Sequence, residues 1–152
     1  MSLRERLTTA LKEAMKAREA DRTSTLRLIN AAIKDRDIAA RGEGGADGVT
    51  DADIMAILGK MVKQRQESAR VYEEGGRLEL AEKELAEIKV IEEFLPRQLA
   101  GSEIGAAIDA AIAEAGASSI RDMGRVMAAL KAKYTGQMDF GAVGPMVKDR
   151  LG

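Results

Sequence analysis

LGKMVKQRQESARVYEEGGRLELAEKELAEIKVIEEFLPRQL, residues 58–99, decides the fold. Apolar residues recur at helical spacing on both sides of Gly75-Gly76, so the stretch reads as two helices folded back on each other. Before the turn, Ile54, Ile57, Leu58, Met61, Ala69 and Tyr72 share a face, and Arg65 falls in its middle. After it, Leu80, Ala81, Leu85, Ile88, Ile91 and Leu95 share a face, and Glu84 falls in its middle. A charge on an apolar stripe is tolerated when it is paired and hydrogen-bonded. The two misplaced charges therefore predict an antiparallel helical hairpin held by a structural Arg65–Glu84 ion pair, with Ser68 and Glu92 near enough to join it. The other reading of Arg65 is a cleft residue that binds an anion.

The rest of the chain is helical in the same way. Ala, Leu, Glu, Lys and Arg dominate, prolines stand only at Pro96 and Pro145, and no strand pattern or fixed-period repeat occurs. Helix one is expected over Leu3–Arg18 with Leu3, Leu7, Leu11, Ala14 and Met15 inward, Ser2 as N-cap and Glu5 completing a capping box. A break is expected at Asp21–Thr23, then a helix from Thr23 to Ala40 with Leu26, Ile29, Ala32 and Ile33 inward. GEGGADG, residues 42–48, reads as a loop. Thr50 with Asp53 caps the helix that leads into the hairpin, and the second arm stops before Pro96.

Beyond Pro96 the helices shorten. Ser102 opens one that ends at Gly116, and Ser119 with Asp122 caps the next, which ends at Gly136. Asp139 opens a last segment that is either kinked at Pro145 or begins its regular part there. The expected organisation is all-α. Residues 1–96 form a larger helical subdomain, 97–101 a hinge and 102–152 a three-helix tail.

Composition limits the chemistry. There is no cysteine and no histidine, so no disulfide, thiolate nucleophile, imidazole base or ordinary zinc or iron site is available. No cofactor and no metal are expected. No apolar run approaches the ~20 residues of a membrane span. The charged pattern of MSLRERLTTALKEAMK is not that of a secretion signal, so a cytoplasmic protein without membrane partners is expected. Lys and Arg number 24 against 25 Asp and Glu, which argues against non-specific coating of nucleic acid but leaves room for a local basic stripe.

Four stretches carry a resemblance to a known family: TLRLINAAIKDRDI (25–38), MVKQRQESARVYEEGGRLELAEKE (61–84), EEFLPRQL (92–99) and DMGRVMAALKAKYTGQMD (122–139). With them the chain resembles, over essentially its whole length, the YqeY-like proteins. These share a domain with the C-terminal region of GatB, a subunit of tRNA-dependent amidotransferase. The resemblance implies two helical subdomains and, by the family's usual label, carbon–nitrogen ligase activity with glutamine as amido donor. It also implies a relation to a region that helps hold tRNA. Glutamine hydrolysis needs a Cys nucleophile or the Ser–Ser–Lys apparatus of an amidase loop, and activation by ATP needs a phosphate cradle. Neither pattern is present.

Three sets of cations are candidate RNA contacts. Arg27, Asn30, Lys34 and Arg41 line one face of the second helix, with Asp37 among them. Lys60 and Lys63, with Gln64 and Arg70, lie on the outer face of the third, where Glu67 is placed to meet Lys63. In the tail, Arg121, Arg125, Lys131 and Lys133 are the contacts that the resemblance implies, and Gly124 suggests a close backbone approach. Each set reads equally as a solvated outer face. Without tryptophan, and with both tyrosines on apolar faces, no stacking platform is expected, so RNA would be held by shape and phosphates. The expected function is a helical module, non-catalytic by itself, that binds tRNA or a tRNA-handling enzyme. A protein–protein adaptor without an RNA role is the alternative.

Overall fold

The computed structural model describes residues 2–42 and 49–152. Most of the loop read at 42–48 lies outside them. The described residues are all-helical: α1 (Leu3–Lys16), α2 (Ala20–Gly42), α3 (Asp51–Glu74), α4 (Leu78–Glu92), α5 (Gly101–Ala115), a 3-10 turn (Ile120–Asp122), α6 (Met123–Tyr134) and α7 (Phe140–Leu151). The chain divides into two compact units, Met1–Leu95 and Pro96–Gly152.

In the first unit, helix starts are set by side chains that take up free backbone N–H groups. Ser2 Oγ accepts from the Glu5 N–H at 3.2 Å, and Thr50 and Asp53 form a full capping box. Asp51 reaches across to accept from the Leu3 N–H at 3.3 Å, which joins the starts of α1 and α3. The core collects Leu3, Leu7, Leu26, Ile29, Ile33, Ile54, Leu58, Met61, Ile91 and Phe94. Met15, expected inward, is half exposed. The break between the first two helices comes earlier than Asp21. Arg18 adopts a left-handed φ of 58°, and the Glu19 N–H bonds back to the Ala14 carbonyl at 3.0 Å. This is a left-handed C-cap built on arginine, where glycine is usual.

The hairpin forms as expected, with Gly76 at φ 74° closing the turn. Its ion pair is a different one. Arg65 Nε donates to Glu87 Oε2 at 2.9 Å, and its Nη1 donates to the Met61 carbonyl at 3.1 Å. Glu84 is half-buried one turn nearer the tip, without that bond. The reason is register. Both arms rise by about 1.5 Å per residue, so a residue ten before Gly75 meets one ten or eleven after Gly76. The outer half of the hairpin is also narrower in burial than its pattern implies. Ala69, Ala81 and Ile88 are buried there, yet Leu80 and Leu85 are exposed at 36% and 43%. The core of the first unit takes nothing from α3 beyond Val62 and nothing from α4 before Val90. Each outer arm therefore has one helical neighbour in that unit instead of two, and one neighbour covers only a thin stripe.

The second unit packs Ala107, Ile108, Ala111, Val126, Leu130, Met138, Val143 and Val147 into its own core. Tyr134 packs against its edge. Asp122 accepts from the N–H groups of Ser118 and Ser119, and Asp139 accepts from that of Gly141. α7 is continuous through Pro145, with regular helix already formed from Phe140. The missing N–H frees the carbonyl of Gly141, an exposed residue that water can serve. Residues 97–100 are stitched to the turn before α7: the Leu99 N–H donates to the Gln137 carbonyl at 2.9 Å, and Gln98 Nε2 donates to the Gly136 carbonyl. Nothing stands within 4 Å of a Cβ built on Gly124, so the close approach expected there is not made.

Arg97 forks onto Glu103, at 2.9 and 2.8 Å, and Glu103 also accepts from the Ala100 N–H at 3.0 Å. The guanidinium first, and the backbone donor second, pull this carboxyl down to about 2. A depressed folded value stabilises above the ordinary carboxylate range, and that contribution is lost as pH falls toward 2. Carbon-detected NMR titration is expected to give Glu103 a midpoint near 2, and Arg97→Ala is expected to move it upward. An ordinary carboxylate midpoint in the unmutated chain would refute the fork.

Candidate functional site

α2 presents the best-formed candidate surface. Leu26, Ile29, Ile33 and Ala40 bury one side of it. On the opposite side Arg27, Lys34 and Arg41 are all exposed, seven residues apart, within an arc of about 40° along about 21 Å of helix. No hydrogen bond or ion pair engages Arg27 or Lys34 among the described residues. Asn30 lies at the edge of this face and is half-buried.

Asp37, expected to offset these charges, is turned away from them. It accepts both arms of Arg4 on α1, each at 3.0 Å. That hydrogen-bonded guanidinium first, and the charge of Arg41 more weakly, hold its carboxyl below the usual carboxylate range. The pairing crosses thirty-three positions of sequence, which no helical wheel displays. It leaves the stripe with an excess of positive charge. Beside the cations lie Leu28, 44% exposed, Ile38, 56% exposed, and the exposed Ala31. These apolar residues were missed as part of the surface. The signal for them was their absence from the 26/29/33/40 stripe.

The other candidates are more occupied or more dispersed. On α3, Lys60 and Lys63 are exposed and Lys63 has a partner. Glu67 joins Arg70, which also holds Glu74 at 2.7 Å. In the second unit Arg125 is a fastener, since it donates to Asp122 at 2.7 Å and to the Ala115 carbonyl at 3.1 Å. Lys133 sits 5.6 Å from the centre of the Tyr134 ring. Arg121 and Lys131 are exposed on the same unit. The structure therefore brings Arg27, Lys34 and Arg41 together on one face and spreads the rest over other elements. Among the described residues, no group of three or more acidic side chains is placed to hold a metal ion. No described helix is long and apolar enough to cross a membrane.

Comparison with known proteins finds relatives and a family. A protein of Clavispora lusitaniae called altered inheritance of mitochondria protein 41, mitochondrial, is 39% identical over 85 residues, 56% of this chain and 46% of that protein. The protein of the same name from Lachancea thermotolerans is 32% identical over 105 residues, 67% of this chain and 51% of its own length. An uncharacterized protein of Schizosaccharomyces pombe is 31% identical over 86 residues, 57% of this chain and 66% of that protein. The matches thus span about half to two thirds of these relatives. Two of them are mitochondrial by name, which overturns the expectation of a purely cytoplasmic protein. The family described as Yqey-like protein matches residues 4–151. The chain, all-helical and matched across nearly its whole length, belongs to the YqeY-like family.

Proposed function

We propose that this chain is a helical binding module, without catalytic machinery of its own, that holds structured RNA of the tRNA type through the outer face of α2. The observation that supports it is the line Arg27–Lys34–Arg41, three exposed cations beside which Asp37 is committed to Arg4 and exposed Asp35 lies off the line. Evenly spaced cations on a rigid helix suit phosphates, and they need neither a metal nor a stacking ring. Arg121 and Lys131 on α6 are the contacts proposed for the second unit.

Phosphate contacts release counterions, so affinity falls with salt in proportion to their number. The charge-neutral variant Arg27→Gln/Lys34→Gln/Arg41→Gln is expected to flatten the slope of log affinity against log salt by about two to three. A fluorescence titration with total tRNA at several salt concentrations, beside a duplex-RNA control, measures it. An unchanged slope, or no binding by the unmutated chain at low salt, would sink the proposal. A second reading, an adaptor that docks a protein helix, draws on Leu28 and Ile38, which phosphate recognition does not use. It predicts RNA-independent capture of a tRNA-handling enzyme, lost on Leu28→Ser/Ile38→Ser.

A further inference from the structure

Among the described residues, two apolar lines of the first unit are exposed, and the helices that carry them have opposite net charge. The first is the outer face of α2, with Leu28, Ala31 and Ile38 beside Arg27 and Lys34 and with Asp35 as the one anion exposed among them. That helix carries five cations and three anions. The second is on α4. Leu78, 61% exposed, and Leu85, 43% exposed, are seven residues apart and therefore lie on one line of the helix. Glu82 and Glu92 flank that line on either side, and Lys89 stands on it. α4 carries five anions and two cations. Single exposed leucines need no explanation, but a line of them rimmed by charge marks a contact surface. Leu78 and Leu85 stand on the outer half of the hairpin, before Val90, where the core of the first unit gives α4 no second neighbour.

We infer that these faces are the two halves of one contact, the leucine line of α4 seating on the outer face of α2 in a second copy of the chain. Ala31 and Ile38 repeat the seven-residue spacing of Leu78 and Leu85, so two helices can lay these lines together over about two turns. Glu82 and Glu92 then meet Arg27 and Lys34 at the rim. When each copy supplies both halves, the contact closes as a two-fold dimer. The area is that of a modest interface, so the association depends on concentration and weakens with salt. This inference does not rest on RNA binding, but it uses the same face of α2.

Sedimentation equilibrium of the full chain tests it. The unmutated protein is expected to associate reversibly. Leu78→Ser/Leu85→Ser and Arg27→Glu/Lys34→Glu are each expected to weaken association at least about tenfold, with far-ultraviolet ellipticity unchanged because all four side chains are exposed. The decisive arm mixes Arg27→Glu/Lys34→Glu with Glu82→Lys/Glu92→Lys. Each is expected to be monomeric alone, and the mixture to associate. A mixture that stays monomeric overturns the inference, as does an unmutated chain monomeric at about 0.5 mM, where even weak contacts are populated. An unmutated chain that is monomeric yet binds tRNA through Arg27 and Lys34 would overturn self-association and leave the RNA proposal standing. A dimer that ignores tRNA would do the reverse.

Discussion

Glu87→Ala is expected to lower the stability of the first unit by about 3 kcal/mol, while Glu84→Ala shifts it by about 0.5 kcal/mol or less. The two glutamates are one turn apart on the same helix, and only Glu87 meets Arg65. The side chains of Arg65 and Glu87 are 15% and 18% exposed, between the two arms of the hairpin. Removing Glu87 leaves a guanidinium there with a single backbone carbonyl for company, and an uncompensated buried charge is costly. The slight wetting places the loss at the lower end of the range for broken buried pairs. Replacing both partners with apolar residues, Arg65→Met/Glu87→Leu, is expected to recover most of it, because the desolvation of two charges disappears along with their attraction. Urea unfolding of the three variants separates these outcomes. Equal midpoints for the Glu84 and Glu87 variants would refute the register of the hairpin.

Leu130→Ala is expected to destabilise the second unit by about 3 kcal/mol. Leu130 is 1% exposed and belongs to the core with Ile108, Val126, Val143 and Val147. The branched neighbours Ile108, Val126, Val143 and Val147 are held in place by their own packing and relax only in part, so a cavity remains. A core of this size supplies about 3–5 kcal/mol in all. The amides of α5, α6 and α7 are therefore expected to lose most of their protection in hydrogen exchange at room temperature. Leu130→Met, which keeps the volume, is expected to cost less than about 1.5 kcal/mol. Retained protection in the alanine variant would mean that the unit is held by something other than this core.

Much of the architecture was open to reading because its signals are local. Ser2 with Glu5 and Thr50 with Asp53 are starts whose donor and acceptor lie three residues apart; both N-cap bonds form, and the reciprocal bond of the capping box closes at Asp53 and not at Glu5. Angular position on a helix is likewise local, so the buried stripes of α1, α2 and α3 were visible. Translation along the helix is not. Periodicity put a glutamate opposite Arg65 but could not choose between positions 84 and 87, since both lie on the half-buried side of α4. That choice is made by the turn geometry at Gly75-Gly76. The start of α2 was misjudged for a different reason: a left-handed C-cap announces itself through glycine, and here the residue is Arg18. Leu80 and Leu85 were expected inward because an apolar stripe implies a neighbour along its whole length, and the outer hairpin lacks the second one. In the candidate site the cations were legible and their balance was not, because Asp37 answers to Arg4 across the fold.

The scarcity of rings has a practical consequence. With no tryptophan, ultraviolet emission comes from Tyr72 and Tyr134 alone. The first stands on the hairpin and the second at the edge of the other unit's core, so each compact unit carries one natural chromophore. Tyr72→Phe or Tyr134→Phe leaves a chain whose intrinsic fluorescence reports a single unit, with no label added and no surface disturbed.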